Sequence, residues 1–334
     1  MLHRFAAFLC LLFGLVSPNS AATEGFVLRA TTQMLSQPLA YIFDGQAKVE
    51  ALLGPGVDPH TYQPTRADVR SLIEADAVVY HGLLFEAQLI DLMGQLSRRI
   101  PTIATAAYQA EADLLFDSGL PDPHTWHDPV PWIDAVISLS RTLDAETELS
   151  LSEDRIQILR EAARRTDAWI AAVYADIDPA RRIVVSAHDA FQYYGVRFGI
   201  RFEPLLGLST ASETRLSRLN ELVELVATRG LSAVFSETTV EASGIAALRE
   251  GAARRGLNLR ALPPLYSDAL APAGKAGATY FGMLIENTRN IADAMSGTRP
   301  VPPNELTNFL VQNRLLDVTP NTELAMADYA GTPE

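Results

Sequence analysis

Short apolar runs that alternate with amphipathic helical patterns predict an α/β protein with mostly parallel sheets. The alternation occupies residues 26–96 and begins again at residue 182. Between these sections, residues 152–177 form one helical pattern that contains neither glycine nor proline. Together these observations predict two α/β lobes joined by one long helix.

The first lobe is predicted from two strands and a capped helix. Residues 26–32 and 77–80 have the length and composition of buried strands. Thr65 is a suitable N-cap for a helix over residues 66–74, with Asp68 as its capping-box partner. A further helical stretch is expected up to Leu96.

The long helix is predicted from apolar residues at helical spacing, among them Ile156, Leu159, Ala163 and Ile170. Pro179 should end it. The second lobe then begins with a strand at 182–186, and further strands are expected at 233–235 and 257–262.

The expected organisation is a signal peptide at 1–22, an N-terminal α/β lobe at 23–150, the connecting helix at 151–178 and a C-terminal α/β lobe at 179–334. Arg4 is the only charge before an apolar run that is too short to span a bilayer. Ser20 and Ala22 supply small residues at the −3 and −1 positions of a cleavage site after Ala22. We therefore expect a soluble periplasmic protein whose acidic tail, after Asp317, is poorly ordered.

Composition excludes several classes of function. The net charge of −13 disfavours nucleic acid as a partner. The single cysteine, Cys10, lies within the apolar run after Leu9, whereas a lipid-modified cysteine would follow small residues at its end. Cleavage would remove it, which excludes disulfides, thiolate ligands and cysteine nucleophiles. Any metal must then be held by nitrogen and oxygen.

Four segments end a predicted strand or loop with a side chain that can bind metal: His60, His124, His188 and Asp268. Three imidazoles and one carboxylate match a four-coordinate transition-metal site. Two of these residues come from each predicted lobe, so a shared ion would lie in the cleft between the lobes.

His60 and His124 share the context Asp-Pro-His, in which proline stiffens the backbone. Taken alone, His60 could instead be a turn histidine that bonds its own backbone. His127 lies three residues after His124 and could replace it or pair with it. The repeated context favours His124, and His127 is then expected to cap a helix or support a ligand.

His188 follows a strand, and ligands in open α/β sheets gather at the carboxyl ends of strands. Asp189 next to it is better suited to capping the following helix, and Asp268 could itself be a helix N-cap. His81 also ends a strand, but a structural role in its turn is sufficient. Glu237 could line the cleft without binding metal.

At these segments the chain resembles the metal-binding solute receptors of bacterial ABC importers, the zinc/manganese (ZnuA/TroA-like, cluster A-I) family. The matching stretches are residues 54–68, 77–86, 121–132, 184–199 and 265–287. The resemblance implies two Rossmann-like lobes bridged by a rigid helix, with His60, His124, His188 and Asp268 as ligands, and it favours His124 over His127. Residues 108–121, however, lack the histidine-rich loop of many zinc-specific members.

The transported ligand is expected to be zinc, with manganese as the alternative. Manganese prefers oxygen-rich sites, whereas three imidazoles suit zinc. Members that resemble this chain but favour manganese commonly have glutamate where His188 stands. The expected role is capture in the cleft and delivery to an ABC transporter permease, by a monomer that a metallochaperone could load.

A zinc hydrolase is the rival from another class. A catalytic zinc keeps an open position for water, which a fourth protein ligand would close. The sequence has no His-Glu-x-x-His helix and no evident general base, so we expect no enzymatic activity.

Overall fold

The first half of the chain is built around a parallel sheet. The computed structural model describes residues 25–260 and 262–317. Within them the first sheet has the order β2-β1-β3-β4, and all three strand pairs are parallel. Its strands are β1 (Phe26–Ala30), β2 (Ala47–Ala51), β3 (Ala77–Tyr80) and β4 (Thr102–Ala104).

Helices connect these strands, because neighbouring parallel strands need a crossover connection. They are α1 (Gln33–Ile42), α2 (Arg66–Ile73) and α3 (Ile90–Leu96). The predicted capping box at the start of α2 is confirmed, since Asp68 N–H donates to Thr65 Oγ1 while the Asp68 side chain accepts from the Thr65 backbone. This cap fixes the end of the loop that carries His60.

A small antiparallel hairpin follows, formed by β5 (Phe116–Asp117) and β6 (Leu120–Pro121). Residues 125–127 form a single 3-10 turn, and α4 (Pro129–Glu146) begins beyond it.

The long helix predicted for residues 152–177 is α5 (Glu153–Ala175). Ser152 Oγ accepts from the Arg155 backbone N–H at 3.5 Å, which caps its first turn. At 1.5 Å per residue the helix is roughly 35 Å long. Pro179 lies at the start of a separate 3-10 turn.

The second half contains β7 (Ile183–Ser186), paired in parallel with β8 (Arg201–Pro204). Its helices are α6 (Gln192–Phe198), α7 (Leu216–Arg229), α8 (Ser243–Arg254), α9 (Tyr280–Ser296) and α10 (Asn304–Gln312). The α/β class with mostly parallel sheets is therefore confirmed.

The strands predicted at 233–235 and 257–262 are wrong in extent. Among their described residues, these segments form one isolated parallel bridge, between Ala233 and Arg260, and a second bridge joins Glu237 and Leu265 just beyond them. Pro263 and Pro264 lie between the two bridges and have no N–H to donate, so a continuous ladder cannot form. The chain still runs alongside β7, because Phe235 N–H donates to Val185 O at 2.9 Å.

One apolar core cluster extends from Phe26 through α5 to Leu315. Helix α9 is buried on nearly every face and packs against both α1 and α5. Tyr194 of α6 connects the helices, because its hydroxyl lies 2.9 Å from Tyr174 Oη and 2.7 Å from Thr288 Oγ1. Gln37 of α1 donates to Ala278 O and accepts from Tyr280 N–H.

Among the described residues, no helix has the length and apolar character needed to cross a membrane. The expected signal peptide at 1–22 and the tail after Asp317 lie outside the described residues. The lobe boundaries stay predictions.

Candidate metal centre

The structure brings His60, His124, His188 and Asp268 together. One ligand atom from each lies within 4.8 Å of the others, and all four residues are buried. Within residues 25–260 and 262–317 this is the one cluster of histidine, cysteine or acidic side chains with such geometry. Segments from both halves of the chain therefore converge as predicted.

The distances place three ring nitrogens around one carboxylate. His60 Nε2 lies 3.2 Å from His124 Nε2. Asp268 Oδ2 lies 3.8 Å from His60 Nε2 and 3.1 Å from His188 Nε2, and Asp268 Oδ1 lies 3.5 Å from His124 Nε2. All three histidines present the same ring atom, Nε2, to the centre.

The two Asp-Pro-His segments position their histidines in the same way. Asp58 Oδ1 accepts from the His60 backbone N–H, and Asp122 Oδ1 accepts from the His124 backbone N–H, each at 2.9 Å. An aspartate that bonds the backbone two residues on makes an Asx turn, and the intervening proline restricts it further. The repeated motif is thus a preformed turn that presents a ring.

Carboxylates also orient two of the rings. Asp122 Oδ1 accepts from His124 Nδ1 at 2.7 Å. Glu237 accepts from His188 Nδ1 through one oxygen and from the backbone N–H groups of Ala187 and His188 through the other, at 2.8 and 2.9 Å. A hydrogen bond at Nδ1 leaves the Nε2 lone pair for a metal, as in many metal sites with histidine ligands.

Aromatic side chains cover the centre. The Phe85 ring contacts His60 edge-on at a centroid distance of 4.9 Å, and Trp126 lies 5.3 Å from His124. Trp126 Nε1–H also donates to Ser267 O at 2.8 Å, next to Asp268. These contacts hold segments from both halves around the cluster and exclude water from it.

Burial and neighbouring charges shift the pKa values in opposite directions. Burial lowers the pKa of His60 to about 3, against the attraction of Asp268. Burial also lowers the pKa of His188. The carboxylates of Asp268 and Glu237 outweigh this effect and raise the pKa of His188 well above its ordinary value. Burial would raise the pKa of Asp268, but His188 above all holds it below its usual range.

This donor set fits a divalent transition metal. Asp268 Oδ1 is buried and, among the described residues, has no hydrogen-bond partner, so it gains an interaction when a cation binds. Three neutral imidazoles and one carboxylate would neutralise part of the charge of such a cation and complete four coordination positions.

The model of a known family covers most of the chain. The family described as "ZnuA: Zinc-uptake complex component A periplasmic" matches residues 29–294. The chain belongs to this family.

Curated relatives extend the ZnuA-family likeness over nearly the whole chain. The manganese-binding lipoprotein MntA of Bacillus subtilis is 32% identical over 295 residues, which cover 87% of this chain and 96% of MntA. The zinc-binding protein TroA of Treponema pallidum is 32% identical over 284 residues, covering 83% of this chain and 92% of TroA.

A solved structure shows the same ZnuA-family fold. The periplasmic zinc binding protein TroA from Treponema pallidum superposes with a TM-score of 0.76 at 30% identity, covering 81% of this chain and 99% of TroA. The two-lobe α/β architecture predicted from the sequence is thereby confirmed.

Other side chains considered as ligands lie outside the cluster. His127 belongs to the 3-10 turn and its ring packs on Phe191 at 4.5 Å. Its expected role as a cap is wrong, because Asp128 is the N-cap residue of α4. Asp189 does not cap α6 either, since that helix begins only at Gln192, whose Nε2 donates to Asp189 Oδ1.

Sequence reasoning placed Glu237 in the cleft but missed the residues that fix and cover the ligands. The sequence indicates Asp58 and Asp122 only as members of the repeated triplet, although each accepts a backbone hydrogen bond. Phe85 and Trp126 lie in segments that carry the family resemblance, yet a lone aromatic residue gives no signal of a ring contact with histidine.

Proposed function

We propose that His60, His124, His188 and Asp268 bind one divalent metal ion, which this protein captures outside the cytoplasm and delivers to an ABC transporter permease for import. The observation that carries the proposal is the convergence of four buried ligand atoms from distant segments within 4.8 Å. A buried cluster of this kind is costly unless a cation or proton satisfies it.

Zinc is the proposed ion. Three nitrogen donors and one carboxylate suit borderline-soft zinc better than manganese, and zinc ranks above manganese at nitrogen sites. The names of the relatives include both metals, since MntA is described as manganese-binding and TroA as zinc-binding. Manganese is therefore the alternative cargo.

Metal analysis of the purified protein, followed by competitive titration of zinc against manganese, tests this proposal. We expect one bound zinc per chain and a clear preference for zinc. Stronger binding of manganese would replace zinc as the cargo, and binding of neither metal would overturn the proposal.

A transport role rather than catalysis is proposed for the bound ion. Asp268 fills the position that a catalytic zinc leaves open for water. Glu237, the nearest candidate for a general base, is already engaged by His188 Nδ1 and two backbone N–H groups. Hydrolytic activity that disappears with a chelator would contradict this part of the proposal.

The protein is proposed to act as a periplasmic monomer that a metallochaperone can load, with lobes at 23–150 and 179–334 around the helix at 151–178. The hydroxyl contacts among Tyr174, Tyr194 and Thr288 fix this helix against its neighbours. Loading should consequently cause small shifts of loops and lobes, and a large closure in solution scattering on zinc addition would count against this.

A further inference from the structure

The side chain of Asp58 connects the two halves of the chain next to the metal centre. Asp58 Oδ2 accepts from Thr61 Oγ1 at 2.7 Å and from Thr210 Oγ1 at 2.6 Å. Thr61 belongs to the same loop as Asp58. Thr210 lies beyond β8, 152 residues away in the sequence, so this hydrogen bond crosses the cleft.

A cavity of about 410 Å³ lies at this crossing. Its lining reaches three of the four ligand segments, through Asp58 beside His60, through Ala187 before His188, and through Thr239. Thr239 Oγ1 lies 3.5 Å from Asp268 Oδ2. The cavity therefore adjoins the site.

The lining of the cavity is polar, because six of its side chains carry hydroxyl groups that can hydrogen-bond water. They belong to Thr61, Thr210, Ser212, Thr214, Thr239 and Ser243.

His60 is the most exposed of the three histidines in the cluster, and it lies between Asp58 and Thr61, which both line the cavity. Its side chain is 5% exposed, whereas the side chains of His124 and His188 are 0% exposed. The rings of His124 and His188 are held by Asp122 and Glu237. The Asp58 carboxylate, by contrast, holds only the backbone of His60.

We propose that Thr210 is a latch: its hydrogen bond to Asp58 closes the cavity over His60 and must break whenever metal moves between solvent and the centre. The latch rests on the proposed function, since it governs access to that site. Neither Asp58 Oδ2 nor Thr210 Oγ1 is a ligand atom. The latch therefore treats their bond as independent of bound metal, so its loss should speed binding and release equally.

Stopped-flow exchange of zinc with a fluorescent chelator tests the latch. Thr210→Val keeps the shape of the side chain and removes the hydroxyl. A hydrogen bond to a charged group corresponds to about a tenfold change in an equilibrium. In Thr210→Val we therefore expect the association and dissociation rate constants for zinc each to rise about tenfold, with Kd unchanged. Thr210→Ser, which restores a hydroxyl, should return the rates toward the wild-type values.

Thr61→Val is the matched control, because it removes a donor to the same Asp58 oxygen without crossing the cleft. Its rates should match the wild type. Three results would overturn the latch without affecting the proposed function. Thr210→Val could exchange zinc at the wild-type rates, or Thr61→Val could accelerate exchange as much as Thr210→Val does. Thr210→Val could also bind zinc more weakly while its association rate stays unchanged. A wild-type protein that binds no zinc would overturn the proposed function and the latch with it.

Discussion

His81 and His188 occupy comparable positions in the two halves of the chain. His81 directly follows β3 and His188 follows β7 after one residue. Each donates its backbone N–H to a buried glutamate, His81 to Glu86 Oε1 at 2.8 Å and His188 to Glu237 Oε1 at 2.9 Å.

The two glutamates differ in what binds their second carboxylate oxygen, Oε2. Glu237 Oε2 accepts from His188 Nδ1, which leaves Nε2 facing Asp268. Glu86 Oε2 instead accepts from Gly82 N–H at 3.2 Å. The position of a histidine at a strand end is thus insufficient. His188 has a carboxylate at Nδ1 that leaves Nε2 for a metal, whereas His81 Nδ1 has no hydrogen-bond partner among the described residues.

The His81 side chain is instead part of the packed interior. Its Nε2 lies 2.7 Å from Thr32 Oγ1, and its ring stacks on Trp132 at 5.2 Å. Burial lowers its pKa to about 3, so the ring is neutral at physiological pH. This histidine stabilises the fold beside the centre.

Replacement of His188 with alanine should have the largest effect on metal binding. Loss of a ligand should weaken zinc binding by more than about 100-fold, the upper range for groups that merely orient a ligand. His127→Ala is the control, since His127 is equally buried outside the cluster. Competitive titration measures both, and equal losses would overturn the ligand assignment.

Exchange of the two glutamates for glutamine should separate their roles. Glu237→Gln should weaken zinc binding by about 10–100-fold, because the His188 ring loses its charged acceptor. Glu86→Gln should leave zinc affinity near the wild-type value and lower the free energy of unfolding by about 1–3 kcal/mol. Chelator competition measures zinc affinity, and urea unfolding measures stability. A large loss of zinc affinity in Glu86→Gln would contradict the proposed difference between the two glutamates.

The pH dependence of zinc binding should reflect His188. Its pKa is raised well above the ordinary value, so in the metal-free protein this ring binds a proton that zinc must displace. Affinity should then fall about tenfold per pH unit on acidification and keep rising with pH above about 6.5.

His60, with a pKa of about 3, contributes to this dependence only in strong acid. Titrations between about pH 5.5 and 8.5 span the unperturbed histidine pKa and test the prediction. A zinc affinity that is constant above about pH 6.5 would contradict the prediction that His188 carries a proton in the metal-free protein.

The smallest effect is expected at His81. Thr32→Val removes the partner of His81 Nε2 and should cost about 1–2 kcal/mol of folding free energy. Zinc affinity should not change, because His81 lies outside the cluster. Thermal unfolding and titration together test this, and weaker zinc binding without lost stability would show that His81 acts on the centre.

The convergence of His60, His124, His188 and Asp268 could be expected from local signals combined with the family resemblance. Asp-Pro-His specifies a stiff turn, and a strand end specifies the position of His188. The capping box at Thr65 and the helix without breakers at 153–175 likewise depend on neighbours in sequence.

Contacts between distant residues were not predictable in the same way. The bond between Asp58 and Thr210 spans 152 residues, and nothing in either local sequence indicates it. The strand predicted at 257–262 is too long, because the structure has one isolated bridge there, at Arg260, and Pro263 and Pro264 separate it from the next bridge at Leu265. Turns and helix caps can therefore be predicted from the local sequence, whereas hydrogen bonds between distant segments become visible only in the tertiary structure.

Helix α9 packs against both α1 and α5, although it is synthesised after more than four-fifths of the 334 residues. Gln37, near the amino terminus, bonds the segment that leads into it. Translation or translocation delivers this helix late, so the first half cannot complete its core while the chain is still emerging. We expect maturation to wait for the full-length polypeptide, and fragments that stop before residue 280 to be cleared by proteases.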